Sequence, residues 1–189
     1  LFIYFHRDII PGYLWIFPEG NGKANVGLGM PDPTKKVNLP EFYNKILSSD
    51  CIVEEALKGS RQIGQLKKWI IRSRSKYYDS PAKGVLVIGD SGGFANQFTG
   101  EGIYYALQSG KFAAQSIIGG GDFTKRFEEK SREFEEDRMA SEKLIRIFQN
   151  HELVNKIFEQ ASKDMNFNSL LQGVVTNVLP KSEVLRFLQ

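Results

Sequence analysis

The sequence predicts a mixed α+β / α/β chain: antiparallel strands first, one buried strand–loop–helix unit next, a helical tail last. Three observations predict it. A run of aromatic and β-branched residues at 13–17 and a returning strand-like run at 24–30 flank Asn21-Gly22, a pair suited to the positive φ angles of a hairpin turn. Residues 84–89 (Gly-Val-Leu-Val-Ile-Gly) are apolar without interruption, as in a strand buried on both faces, and lead into a glycine-rich loop. From Gly100 onward apolar residues recur at three- and four-residue steps, the helical period.

Composition agrees with a folded globular protein. Of 189 residues, 41% are hydrophobic, 25% charged and 12% aromatic, which excludes disordered, collagen-like and disulfide-stapled classes. The net charge of +3 is too small to argue for nucleic acid. No apolar run approaches the roughly 20 residues that cross a bilayer. Cys51 is the single cysteine, so no internal disulfide can form, and His6 and His151 lie too far apart for a metal spacing. Such cysteine usage fits a reducing, cytoplasmic setting. No charged n-region with an apolar h-region opens the chain, so no signal peptide is expected.

In order along the chain, residues 1–5 read as a strand in progress, and Ile10-Pro11-Gly12 as a turn. Residues 13–17 form an aromatic strand ending at Pro18. Residues 24–30 return antiparallel, and the strand glycines Gly27 and Gly29 mark a place where something approaches the backbone closely. Residues 31–34 break the sheet. Helices are expected over 39–47, with Pro40 in the first turn, and over 51–57. Residues 61–75 suggest a strand or pair of strands, and Asp79-Ser80-Pro81 a turn. A helix over about 100–118 places Ile103, Leu107, Gly110, Ala114 and Ile117 on one face. Gly119-Gly120-Gly121 ends it and Asp122 caps the next, a long charged helix over 123–149 that buries Phe123, Phe127 and Phe134. Shorter helices follow over 152–163, 169–178 and after Pro180.

Two motifs carry chemistry. The first runs Gly89-Asp90-Ser91-Gly92-Gly93-Phe94-Ala95-Asn96-Gln97-Phe98-Thr99-Gly100-Glu101-Gly102-Ile103. A carboxylate at the end of a buried strand, here Asp90, sits where open α/β sheets bind ligands and can accept hydrogen bonds from polyol hydroxyls. Gly100 and Gly102 let the backbone approach a ligand, and the helix opening there offers amides and a dipole of roughly half a positive charge to an electron-rich group. Phosphate would satisfy the same logic, but no Gly-Lys-Ser/Thr follows, so this is not a P-loop. The second motif is Tyr13-x-Trp15-x-Phe17-Pro18, then Gly27-x-Gly29. Alternation puts the three aromatics on one face, an apolar wall. By themselves, three alternating aromatics are more often the mark of ordinary core packing.

Taken together, the two motifs resemble those of the geranylgeranyl reductase family, flavoproteins of the p-hydroxybenzoate-hydroxylase fold. Gly89-Asp90, Gly93 and Gly100-Glu101-Gly102-Ile103 match the second FAD-contacting motif. Ser91-Gly92 stands for the usual Ala-Ala and Gln97 for the usual proline. The resemblance spans roughly residues 12–118. It implies a substrate-binding domain over 1–80, the C-terminal part of an FAD-binding domain over 81–121 and a helical region over 122–189. It implies FAD as cofactor, held by Gly89, Asp90, Gly100, Gly102, Ile103 and Tyr104, with Asp90 on the ribityl chain and the Gly102–Tyr104 backbone at the flavin pyrimidine edge. Tyr13, Trp15, Phe17, Pro18, Gly27 and Gly29 would then line a pocket for a prenyl chain.

The activity implied is FAD-dependent reduction of C=C bonds in geranylgeranyl chains of isoprenoid lipids, with an unidentified electron donor and no assigned proton donor. The Gly-x-Gly-x-x-Gly unit that grips the ADP half of FAD is not in this sequence. A C-terminal portion of a longer reductase is therefore expected, with the missing N-terminal FAD-binding segment as partner and little or no FAD affinity in this chain alone. Two alternatives stand beside it: a flavin monooxygenase or halogenase of the same fold, which does not require the aromatic motif, and a non-catalytic lipid- or partner-binding fragment. Lys58, Arg61, Lys67, Lys68, Arg72, Arg74 and Lys76 form a basic run without an acidic residue. They suit either a solvated, charge-guarded edge or peripheral contact with an anionic membrane at the inner face of the cell. Cys51 is expected to be a small buried side chain, His6 and His151 surface residues, and the charges over 125–143 the wet face of a helix.

Overall fold

The structure, a computed structural model, describes residues 1–31, 36–73, 81–176 and 178–187. The chain divides into two units, Leu1–Ile70 and Ile71–Gln189.

The first unit is built on a three-stranded antiparallel sheet in the order β1 (Phe2–Tyr4), β2 (Tyr13–Gly20), β3 (Lys23–Gly29). The β2–β3 turn is the expected one: Asn21 and Gly22 take φ of 51° and 69°. Register pairs Trp15 with Gly27 and Tyr13 with Gly29. Alternation along β2 sends Leu14 and Ile16 to the buried face and Tyr13, Trp15 and Phe17 to a half-buried one. The buried face packs on α1 (Leu39–Ser49) and α2 (Cys51–Ala56) through Ile46 and Val53. Burying Leu14 completely is worth about 1.5–3 kcal/mol. Asn38 caps α1 and Pro40 occupies its first turn, where its missing N–H costs nothing. Asp50 ends α1 and caps α2, accepting from the Ile52 and Val53 amides.

Several expectations are corrected in this unit. Cys51 is exposed, because it opens α2 on the side away from buried Val53. His6 is half-buried, its ring 5.1 Å from that of Phe42; His151 is exposed. Residues 61–70 form no strand. The expected sheet break at 32–34 lies outside the described residues.

The second unit is helical: α3 (Ile103–Ile118), α4 (Phe123–Ser131), α5 (Glu135–Phe148), α6 (His151–Lys163), α7 (Met165–Val175) and α8 (Lys181–Phe187). Asp122 caps α4 through the Lys125 amide, as expected. The single long helix expected over 123–149 is broken between α4 and α5 by a tight 3₁₀ turn, Arg132–Phe134, which turns Phe134 toward Phe94, Tyr105 and Phe112.

The buried strand expected over 84–89 does not form. A strand needs a hydrogen-bonded neighbour, and among the described residues none runs beside it. Leu86 and Val87 instead pack on Phe112 and Phe127, while Val85 and Ile88 are each 44% exposed. Of the strand expected near 61–75, the described part of this unit holds only an isolated bridge from Ser73 to Phe94; Arg74, Lys76, Asp79 and Ser80 lie outside the described residues. The apolar stripe of α3 is also inverted. Tyr105, Ser109, Phe112 and Ser116 face inward, whereas Ile103, Leu107 and Ile117 are exposed. Packing against α4 chose the face with Phe112, and the aliphatic stripe was left outside.

Candidate functional site

In the first unit, β2 builds the aromatic wall. Tyr13, Trp15 and Phe17 stand in a row with ring centroids 6.0 Å apart at each step, and Phe5 extends the row at 5.9 Å from Tyr13. The two strand glycines serve the indole. A Cβ on Gly27 would stand 2.4 Å from Trp15 Cζ2, and one on Gly29 3.6 Å from Cζ3. The group that approaches the backbone closely is therefore Trp15 itself, and Gly27 and Gly29 contribute to the wall by seating its ring. Trp15 Nε1 donates to Asn25 Oδ1 at 2.8 Å, which fixes the ring's rotation. Pro18 does not join this wall: strand alternation puts it on the opposite face, exposed beyond the core.

In the second unit, Gly89–Gly92 form a 3₁₀ turn. Gly89 has φ of 57°, and its amide donates to the buried Ser109 hydroxyl of α3 at 3.0 Å, which ties the loop to the helix. Gly93 closes the turn in the left-handed region. Asp90 is exposed and its carboxylate lies at the mouth of α3: a Cβ on Gly102 would come within 2.5 Å of Asp90 Oδ1. Only glycine leaves room for the acid beside that backbone. A polyol hydroxyl and an electron-rich ring edge are groups that this pairing of acceptor and helix amides can address. Ile103 and Tyr104 are open to solvent, at 78% and 49%. The Tyr104 amide is not bare, however; it donates to Glu101 Oε1 at 2.7 Å, so the helix mouth is partly capped by its own carboxylate.

Asn96 is the residue that sequence reading missed. It is 5% exposed and organises the loop from inside. Its Oδ1 accepts from the Phe98 and Thr99 amides at 2.9 and 3.0 Å, its N–H donates to the Glu101 carbonyl, and its carbonyl accepts from Gly100 N–H at 2.9 Å. An Asn two residues ahead of the turn it closes is the one signal that the sequence offered. On its other side, Asn96 Nδ2 lies within hydrogen-bond distance of Tyr105 Oη, Asp137 Oδ2 and Ser141 Oγ. Asp137 thus leaves the wet face on which the sequence put the charges of this stretch. Burial, then the hydrogen bond to Asp137, push the Tyr105 hydroxyl far above the ordinary tyrosine range.

Along the basic segment, Arg61, Lys67, Lys68 and Arg72 are exposed, as are Trp69 at 91% and Ile70 at 83%. Lys58 pairs with Glu55 at 3.1 Å. Among the described residues no cluster of His, Cys, Asp or Glu suits a metal ion, and no helix is long and apolar enough to cross a membrane.

Residues 1–63 match the model of the geranylgeranyl reductase catalytic domain. The chain is 34% identical over 169 residues to a digeranylgeranylglycerophospholipid reductase of Methanocaldococcus jannaschii, covering 85% of this chain and 40% of that protein. It is 34% identical to the Sulfolobus acidocaldarius protein of the same name, over 65% of this chain and 27% of that one. In fold, it is similar to a geranylgeranyl bacteriochlorophyll reductase-like protein of Thermoplasma acidophilum (TM-score 0.53, 19% identity, 82% of this chain and 46% of that one). The chain therefore spans less than half the length of each of these relatives. The catalytic-domain match falls on the unit that bears the aromatic wall, and in these residues the chain is similar to geranylgeranyl reductases.

Proposed function

We propose that this chain is part of an FAD-dependent reductase that saturates C=C bonds of geranylgeranyl chains on isoprenoid lipids. The observation that carries the reading is the seating of the Asp90 carboxylate on Gly102 at the mouth of α3. Asp90 would accept from the ribityl hydroxyls, and the Gly100, Gly102 and Ile103 backbone, beside Gly89, would meet the electron-rich pyrimidine edge. Glu101 would have to release the Tyr104 amide before that amide could join them. When bound, the flavin supplies the two-electron chemistry. The chain's own part is apolar contact and exclusion of water: Tyr13, Trp15 and Phe17 offer ring surface to a polyprenyl chain, with Gly27 and Gly29 beneath the indole. The names of the curated relatives support a glycerophospholipid bearing geranylgeranyl chains.

Two partners follow. The exposed aliphatic stripe of Ile103, Leu107 and Ile117, with Val85 and Ile88, suits coverage by a further segment of the flavin-binding fold. Lys67 and Lys68, next to the exposed Trp69 and Ile70, suit the headgroup layer of an anionic membrane, where aromatic and basic side chains partition together.

The test is anaerobic turnover by the full-length protein with reduced flavin and a geranylgeranyl glycerolipid, read by mass spectrometry. Gain of one H₂ per saturated bond is expected. Product that forms only with oxygen would replace this reading with a monooxygenase, and lipid binding without flavin would replace it with a binding protein.

A further inference from the structure

Lys181, at the start of α8, is fully buried although it carries an amine. A lone buried ammonium is costly, so such a residue needs partners that hold it. Its Nζ lies 3.3 Å from Tyr105 Oη and 3.5 Å from Asp137 Oδ1. Tyr105 Oη in turn donates to Asp137 Oδ2, and Asn96 Nδ2 donates to the same oxygen at 2.8 Å. Ser141 Oγ accepts from Asn96 at 2.9 Å and donates to the Asp137 carbonyl at 2.7 Å. The chain of contacts therefore runs from α8 through α5 and α3 to Asn96, and from Asn96 Oδ1 to the amides of Phe98 and Thr99. Those two amides immediately precede the Gly100-Glu101-Gly102 turn.

We propose that Lys181 and Asp137 are positioning residues: they clamp the carboxamide of Asn96, and through it fix the backbone of the 96–102 turn for its ligand. The helical tail is thereby part of the site's construction. An Asn carboxamide can rotate, and rotation by half a turn would put its N–H groups against the Phe98 and Thr99 amides. The Asp137 carboxylate accepts from Asn96 Nδ2 and so permits a single orientation, and Lys181 Nζ, 3.5 Å from Asp137 Oδ1, holds that carboxylate in place. Burial lowers the Lys181 amine's affinity for its proton and the Asp137 charge restores part of it. That the ligand is a flavin rests on the function proposed above.

The test uses the full-length protein and the variants Lys181→Met, Lys181→Arg and the double variant Lys181→Met/Asp137→Asn, which leaves no lone buried charge if the single variant loosens the domain. Amide hydrogen exchange is followed at Phe98 and Thr99, with the amides of α6 and α7 as internal reference, and FAD affinity by flavin fluorescence. We expect Phe98 and Thr99 to exchange at least tenfold faster in Lys181→Met and in the double variant, with the α6 and α7 amides unchanged. FAD should bind at least fivefold more weakly in the same variants, and Lys181→Arg should restore both. Exchange that quickens uniformly across the unit, or not at all at Phe98 and Thr99, overturns the clamp. So does unchanged FAD affinity in a variant whose turn has loosened. If the wild-type protein takes up no FAD, the flavin reading fails, and the exchange result alone decides the clamp.

Discussion

The indole of Trp15 lies directly on Gly27, its cross-strand partner, so closely that a Cβ there would stand 2.4 Å from the ring. The glycine and the tryptophan are one device: the missing side chain on β3 is the floor for the ring on β2.

Gly27→Ala should therefore displace Trp15. We expect a loss of about 1–3 kcal/mol from overpacking, read as a lower urea midpoint, together with a red shift in tryptophan emission. Trp69, the other of the two tryptophans, is 91% exposed and supplies a constant background. An unchanged spectrum and midpoint would mean that the ring sits elsewhere.

Asp90→Asn should leave stability within about 0.5 kcal/mol, because the side chain is exposed. Hydrogen bonds to a charged acceptor contribute about 1.5–3 kcal/mol, so FAD affinity of the full-length protein should fall by roughly 10- to 100-fold. Titration of flavin fluorescence checks this, and equal affinity in the variant would remove Asp90 from the cofactor site.

Glu101→Ala removes the acceptor of the Tyr104 amide. The expected cost is about 0.5–2 kcal/mol, as for a lost helix cap, with faster hydrogen exchange at Tyr104. A Tyr104 amide that exchanges at the wild-type rate would show that Glu101 does not cap α3 in solution.

Tyr4 donates to Asp50 Oδ2 at 2.8 Å, and the pair gives the first unit a pH dependence at both ends. Burial, reinforced by Asp50, pushes the Tyr4 hydroxyl up to about 12. Its contribution to stability is complete below the unfolded value of about 10 and lost as pH rises from there through about 12. For Asp50, burial acts upward, but the Tyr4 hydroxyl and the Val53 and Ile52 amides outweigh it and hold the carboxyl below its ordinary value. That stability is present above about pH 4 and lost as pH falls through the lowered value. Asp50→Ala should bring the Tyr4 titration, followed by ultraviolet absorbance, down toward about 10 and remove the cap of α2; a Tyr4 midpoint still near about 12 would show that the pair does not form.

Features that depend on local chemistry were legible before folding. Asn21-Gly22 specified the hairpin through its positive φ angles, period-two alternation put Tyr13, Trp15 and Phe17 on one face, and Asp122 announced the start of α4. Features that depend on which neighbour is present were set only by packing between distant parts of the chain. The apolar run at 84–89 reads as a strand, yet without a hydrogen-bonded neighbour it packs as an extended segment on Phe112 and Phe127. The aliphatic stripe of α3 has the right period for a buried face, but periodicity cannot say which of two candidate faces a partner helix will choose. Asp137 and Lys181 look like surface charges, because nothing local distinguishes a solvated carboxylate or amine from one held 3.5 Å from its counter-charge by residues 44 positions away (181 − 137). Burial of charge is settled by distant partners, so it becomes legible only when the chain has folded.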